Sequence, residues 1–325
     1  MKVFILDLSG RGSLKLDPFN PWHNLLGEWG VESVEDPEKA DYFLVNNLNL
    51  RSATFSKKFC TPLNSVLILW ESVVTSPMNI NLNLHSNFRL VMSPSQKWML
   101  GNRFVIFNWP QNNPSDFKGY KYKKDYFSRK DKWVLVQSKK FSFAPNEMYS
   151  LRNALIAVFP EDIELWGFGW EQKSYVNIIK AFTRNRPLNV LQLADTIKFN
   201  QKIPKSYQGL SPDKIETMSN YKYSIIIENS LDYVSEKLLD AIIAGTAPIY
   251  VGPCLEEFGI PGEVALISEP TIEELKINMN RLSRDTKLRT QILESGRDFL
   301  NSEQFQSRIH VNVFGEIGKT LKMEF

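Results

Sequence analysis

Residues 221–253, YKYSIIIENSLDYVSEKLLDAIIAGTAPIYVGP, constrain this chain more than any other stretch, because few orders of elements fit them. Residues 223–227 form a short apolar run rich in β-branched side chains, long enough for a buried strand and too short for a helix. Polar Glu228, Asn229 and Ser230 mark its end. The spacing of Leu238, Leu239, Ile242 and Ile243 predicts a helix from about Ser235 to Ala244. Gly245 suits the left-handed residue that closes such a helix, and residues 247–251 start the next strand. In an open α/β sheet, ligands gather outside the carboxyl ends of the strands. That crevice is expected to hold Glu228, Asn229, Tyr233, Ser235, Glu236 and Lys237. A helix N-terminus with a lysine in its first turn suits an anion such as a pyrophosphate.

The same alternation runs through the rest of the chain. Strands are expected at 3–8, 42–45, 65–70, 88–92 and 104–107, with a short amphipathic helix at 21–29. A second series starts with a strand at 133–137. Asn146 is read as the cap of the helix NEMYSLRNALIAV, with Met148, Leu151, Leu155 and Val158 facing inward and Arg152 off that stripe. A strand and glycine turn follow at 163–169. Residues 174–208 are less regular, Ser211 and Pro212 open a further helix, and TIEE at 271–274 reads as a capping box. The expected class is α/β, with two Rossmann-like parallel-sheet domains and a cleft between them, at 1–130 and 131–325. The second is expected to keep the helical C-terminal segment. The basic, aromatic stretch 117–132, FKGYKYKKDYFSRKDK, reads most simply as a solvated linker. Contact with an acidic acceptor, a membrane surface or phosphate stays open.

Length and charge bound the function. A chain of 325 residues suffices for two cores, and 43% hydrophobic with 23% charged residues is ordinary for a globular protein. A net charge of +3 is too slight to argue for nucleic acid. Cys60 and Cys254 lack CxxC spacing, and His23, His85 and His310 lack metal-ligand spacing. The N-terminus, MKVFILDLSGRG, reads as a strand ending in a glycine turn rather than a signal peptide. No apolar run reaches the ~18 residues that span a bilayer. A cytoplasmic location is therefore expected, with peripheral membrane contact left open.

ENS followed by DYVSEK, with YKY before and APIYVGP after, resembles the signature of the α1,3/4-fucosyltransferases. Tyr223 and Ile227 stand where that family has phenylalanine, Ser235 where it has threonine, and the loop between Ser230 and Asp232 is shorter. QSKKFSFAPNEMYSLRNALIAVFPEDIELWGFG resembles the family segment that carries an arginine on a helix: Arg152 holds that position, while Trp166 replaces a tyrosine. KIPKSYQGLSPDKIETMSNYKY resembles the lead-in to the signature, with Met218 for leucine. In the first domain LWESVVTSP resembles F-E-S-P-x-x-S-P, with Glu71 at the acceptor-site glutamate and Val73 for the first proline. The resemblance is expected to be to the family's soluble bacterial members, whose chains begin directly with the fold.

The resemblance implies the two-domain glycosyltransferase architecture called GT-B and inverting transfer of L-fucose from GDP-fucose to a glycan hydroxyl, O3 or O4 of GlcNAc or Glc. No Asp-x-Asp motif occurs, so no obligatory metal or other cofactor is expected. The departing diphosphate would be met by Arg152, Lys237 and the helix N-terminus at Ser235. Glu236 would accept hydrogen bonds from ribose or fucose hydroxyls, and Asn229 and Tyr233 would add others. Glu71, flanked by Ser72 and the TSP turn, is the candidate base from the opposite domain. The alternatives are the same fold with another nucleotide sugar, or a silent module that binds a nucleotide sugar or glycan.

Overall fold

The computed structural model describes residues 2–6, 31–95, 103–111, 113–114, 126–171, 173, 175–232 and 234–324. The helix expected at 21–29, the end of the strand expected at 3–8, Tyr233 and most of the basic stretch lie outside these residues. The chain divides into two compact units, Met1–Asn108 with Val311–Phe325, and Trp109–His310.

The first unit is built on six parallel strands: β1 (Lys2–Leu6), β2 (Glu32–Ser33), β3 (Tyr42–Asn46), β4 (Ser65–Ile68), β5 (Leu90–Ser93) and β6 (Phe104–Ile106). Their order in the sheet is β2-β1-β3-β4-β5-β6. Alternation sends Val3, Ile5, Tyr42 and Leu44 to one apolar layer and Phe4, Leu6, Phe43 and Val45 to the other. Burial on both faces is why these strands read as continuous apolar runs. Helix α1 (Leu50–Phe59) covers one face behind a capping box, in which Ser52 N donates to Asn49 Oδ1 at 3.0 Å and Asn49 N to Ser52 Oγ at 2.7 Å. A one-turn helix α2 (Leu82–His85) precedes β5.

The other layer of this unit holds Val313, Phe314 and Ile317 of the C-terminal helix His310–Glu324, all buried beside Val3 and Ile5. This corrects the expected boundary, which gave the whole C-terminal segment to the second domain. Three such side chains are worth roughly 1.5–3 kcal/mol each when buried, enough to fix where the helix docks. Nothing in its own periodicity names the sheet it will cover.

The second unit also holds six parallel strands, in the order β12-β11-β10-β7-β8-β9. Along the chain they are β7 (Lys130–Val136), α3 (Tyr149–Val158), β8 (Ile163–Trp166), α4 (Tyr175–Arg184), α5 (Val190–Asn200), β9 (Tyr207–Gly209), α6 (Lys214–Met218), β10 (Tyr221–Ile227), α7 (Glu236–Ala244), β11 (Ala247–Val251), β12 (Leu266–Ile267), α8 (Ile272–Arg284) and α9 (Thr286–Leu300). The order runs outward from β7 through β8 and β9 on one side and from β10 through β12 on the other. The reversal between β7 and β10 is the topological switch point, where α/β sheets bind ligands.

Several local expectations need correction. β7 starts at Lys130, so the last residues of the basic stretch are strand, and Lys130 pairs with Glu164 at 2.8 Å. Asn146 does not cap α3. It takes the left-handed conformation (φ 59°), and the Glu147 carboxylate accepts from Tyr149 N at 2.7 Å and Ser150 N at 3.1 Å. The longer carboxylate reaches N–H groups that the asparagine, once turned away, cannot. Val158 is exposed, while Arg152, off the predicted stripe, is buried. Asp213, rather than Ser211 and Pro212, opens α6 by accepting from Ile215 N and Glu216 N. By contrast α7 and β11 lie as expected, with Gly245 at φ 70° and ψ 34° ending the helix. Thr271 caps α8, accepting from Glu274 N at 3.2 Å.

Candidate functional site

Glu228 follows the last residue of β10 and is 1% exposed. Its backbone continues the sheet, with Glu228 N donating to Val251 O at 2.9 Å. Its carboxylate then gathers the start of α7. Ser235 N donates to Oε1 at 2.9 Å, Ser235 Oγ to Oε2 at 2.6 Å, and Lys237 Nζ to Oε2 at 3.1 Å. Lys237 Nζ also donates to Ser235 Oγ at 2.6 Å. These donors satisfy a buried carboxylate that would otherwise be costly to take out of water. Glu228 thus ties the strand end to the helix N-terminus and turns inward, while Lys237 stays partly exposed at the rim.

Arg152, 3% exposed on α3, reaches the same strand end. Its guanidinium donates to the carbonyl of Ile227 and, at 3.0 Å, to Asn229 Oδ1, and it lies 5.0 Å from the Tyr149 ring centre. Met148 N donates to Asn229 O at 3.1 Å, so Asn229 is held by backbone and side chain together. The two expected cations therefore converge on residues 227–229 from opposite sides, one buried and one at the surface.

Glu236 faces another way. It meets Lys214 of α6 at 2.9 Å, and Lys214 lies 3.8 Å from Asp240, one turn further along α7. Burial acts to raise the Glu236 carboxyl, but Lys237 and Lys214 outweigh it and hold the group well down. Asp240 goes the other way: burial, then the negative charge of Glu236, push it up to about 7. Neither Lys214 nor Asp240 was expected at the site. The sequence hint was the SPDK start of α6, read there as a helix opening and nothing more. A small pocket between the ends of β7 and β10 is lined by Val136, Gln137, Lys214, Ile227, Lys237 and Asp240. A larger cavity, about 280 Å³, lies at the opposite end of the sheet, beside Arg129 and Thr246 just before β7 and β11. Ligands of such sheets gather at the carboxyl ends, so the smaller pocket is the better candidate.

Glu71 belongs to the first unit, in the segment after β4. Its backbone is fixed by two buried asparagines that the sequence reading did not assign to the site. Asn47, in the left-handed conformation (φ 57°), accepts through Oδ1 from Trp70 N at 2.7 Å and Glu71 N at 3.1 Å. Asn79 Nδ2 donates to Glu71 O at 2.7 Å and to Asn47 Oδ1 at 3.1 Å. The Asn79 carbonyl meets His85 Nε2 at 2.9 Å. Ser72 closes the following turn through its carbonyl, whereas its hydroxyl is buried and forms no hydrogen bond among the described residues, so it does not hold Glu71. The Glu71 carboxylate, half-buried, has no hydrogen-bond partner among the described residues. The available signal was the pair Asn46 and Asn47 at a strand end, where a polar pair marks a loop that must be held.

The structure thus brings together Arg152, Glu228, Asn229, Ser235 and Lys237, sets Glu236 beside them toward Lys214, and carries Glu71 on a different unit. Tyr233 is outside the described residues. Among the described residues no group of three or more His, Cys, Asp or Glu is arranged to hold a metal ion, and no helix is long and apolar enough to cross a membrane.

No family model matches the chain. A fucosyltransferase-like protein of Arabidopsis thaliana is 30% identical over 136 residues, which is 35% of this chain and 26% of that protein. The match therefore spans about a quarter of the relative. Among solved structures, Anabaena Alr3699/HepE in complex with UDP-glucose superposes with a TM-score of 0.57 at 14% identity, covering 99% of this chain and all of that one. An α1,3-fucosyltransferase with GDP-fucose superposes with a TM-score of 0.51 at 14% identity, covering 90% of this chain and 80% of the other. At these identities the likeness is one of fold. The chain has the two-domain, parallel-sheet GT-B fold of these glycosyltransferases.

Proposed function

We propose that the protein is an inverting glycosyltransferase that moves L-fucose from GDP-fucose to a glycan hydroxyl, O3 or O4 of GlcNAc or Glc. The observation that carries this is the arrangement of Glu228, Ser235 and Lys237 at the switch point of the second unit, formed by the residues of the ENS and DYVSEK motifs. In this reading the diphosphate sits over the N-terminus of α7. There it meets helix N–H groups and the Lys237 ammonium, while Arg152 adds charge from beneath and holds Asn229 toward the donor. Glu236, kept ionised by its two lysines, accepts hydrogen bonds from ribose or fucose hydroxyls, and Tyr233 adds another.

Three demands of the reaction assign the remaining roles. Negative charge growing on the departing GDP is stabilised by fixed cations, with no obligatory metal or cofactor. The oxocarbenium-like fucosyl group is attacked from the face opposite the diphosphate. The attacking hydroxyl gives its proton to Glu71, whose backbone is held by Asn47 and Asn79 while its carboxylate is unengaged among the described residues. Two unbridged thiols, Cys254 exposed among them, support a reducing, cytoplasmic setting.

A second reading keeps the fold and changes the donor, favoured by the likeness to HepE with UDP-glucose. A module that binds without turnover is the third, and it gives no reason for a Glu71 whose backbone is positioned by two buried asparagines. One experiment separates them: incubation with GDP-fucose or UDP-glucose and a panel of glycan acceptors, with products identified by mass spectrometry. A fucosylated product supports the proposal, a glucosylated one replaces it, and donor binding without product leaves only the silent module.

A further inference from the structure

The helices α4 and α5 carry an apolar surface that the donor site does not use. On α4, Ile178 and Ala181 are buried, yet Tyr175, Val176, Ile179 and Phe182 form a second apolar stripe that faces water. Ile179 is 61% exposed. The start of α5 adds Val190 and Leu191, 81% and 74% exposed. α5 itself is held to the body of the unit by Phe199, edge-on to buried Trp170. Apolar side chains scattered singly on a surface need no explanation, but six on one helical pair do.

Charge decides what covers them. Residues 173–205 contain seven lysines and arginines and one acid, Asp195. Lys180, Arg184 and Arg186 flank the stripe, are exposed, and form no ion pair among the described residues. A second copy of the chain would set these cations against the same cations. A soluble polyanion would leave the apolar stripe wet. An apolar stripe edged by exposed cations is the pattern of a helix that lies in the headgroup region of an anionic bilayer.

We infer that α4 and α5 form a docking surface for an anionic phospholipid membrane. The aromatic and aliphatic side chains enter the acyl boundary, and the cations stay among the lipid phosphates. The surface is distinct from the basic stretch 117–132 and independent of the donor assignment.

The test is co-sedimentation of the full chain with vesicles of phosphatidylcholine, alone or with about one-third phosphatidylglycerol. Binding is expected to the mixed vesicles, with little to the neutral ones, and to weaken as salt rises. Ile179→Glu with Leu191→Glu should abolish it. Lys180→Gln, Arg184→Gln and Arg186→Gln together should lower partitioning by about a hundredfold. All five positions are exposed, so melting temperatures should match the wild type; Ile179→Ser with Leu191→Ser serves if the acidic pair fails to fold. Equal binding to neutral vesicles, or undiminished binding by the apolar variants, overturns the inference. So does a dimer in sedimentation velocity that the apolar substitutions dissolve while vesicle binding is absent, since the partner would then be a second copy.

Discussion

At the carboxyl end of β10 the charged side chains are interlocked: Glu228 takes three donors, Lys237 bridges it to Ser235, and Arg152 holds Ile227 and Asn229. After β4 the pattern is inverted. There the backbone is locked by Asn47 and Asn79, and the Glu71 carboxylate has no hydrogen-bond partner among the described residues. The contrast separates two kinds of work. In the proposed reading the first of these regions presents charge to the donor, and its hydrogen bonds stiffen it. In the same reading Glu71 takes a proton, and the hydrogen bonds of Asn47 and Asn79 hold its main chain.

The sharpest way to break the comparison is Glu71→Gln. The amide keeps shape but accepts no proton, so transfer should fall by about 10²–10⁴ while GDP affinity and thermal stability stay near wild type. More than about a tenth of wild-type turnover would sink Glu71 as the base. Of the two weaker carboxylates, Asp41 lies at the amino end of β3 and accepts from Lys2 N at 2.8 Å, which speaks against it, and Asp7 lies outside the described residues.

Next in size are the cations of the other region. Lys237→Ala and Arg152→Ala should each weaken GDP binding and slow transfer by roughly a hundredfold. Unlike Glu71→Gln, both should also lower stability. The first leaves a buried carboxylate without its cation, at about 3–5 kcal/mol, and the second leaves a carbonyl and an amide oxygen unpaired, at about 1–3 kcal/mol each. Adding Glu228→Gln to Lys237→Ala removes the stranded charge. Stability should then recover while GDP binding does not. Wild-type GDP affinity in calorimetry for either single variant would move the diphosphate elsewhere.

A smaller effect distinguishes the acidic pair on α7. Asp240 has a folded pKa raised from 3.8 to about 7, so its contribution to stability is complete below about 4 and is lost as pH rises toward 7. Asp240→Asn, which cannot ionise, should therefore gain in melting temperature over wild type between pH 4 and pH 8. A constant difference across that range would show that Asp240 is ionised throughout. Glu236, held low, has the opposite sign: its contribution is present at neutral pH and is lost only as pH falls well below 4.5.

The smallest expected change is none at all. Activity should survive EDTA, since the proposal assigns the diphosphate charge to protein cations. Complete loss on chelation, restored by manganese or magnesium, would contradict that; modest stimulation by a metal would not.

What the sequence determined by itself is local and periodic. The run 223–227, the apolar spacing of α7 and the glycine at 245 specify strand, helix and cap, because each depends on side chains a few residues apart. The parallel α/β class follows from repeating that pattern, and the structure bears it out. The candidates around 228–237 were legible for the same reason, being carried on one such unit. Tertiary structure alone decided the rest. It set Arg152 under the end of β10, although α3's apolar stripe passes it by, because a distant carbonyl and an amide oxygen accept from its guanidinium. It sent the C-terminal helix to the first sheet, where Val313, Phe314 and Ile317 find an apolar layer. It made Asn47 and Asn79 the supports of Glu71, a hydrogen-bond set joining residues 32 apart in sequence. Buried polar groups must find partners wherever the fold brings them, and no short-range pattern names a partner that far away.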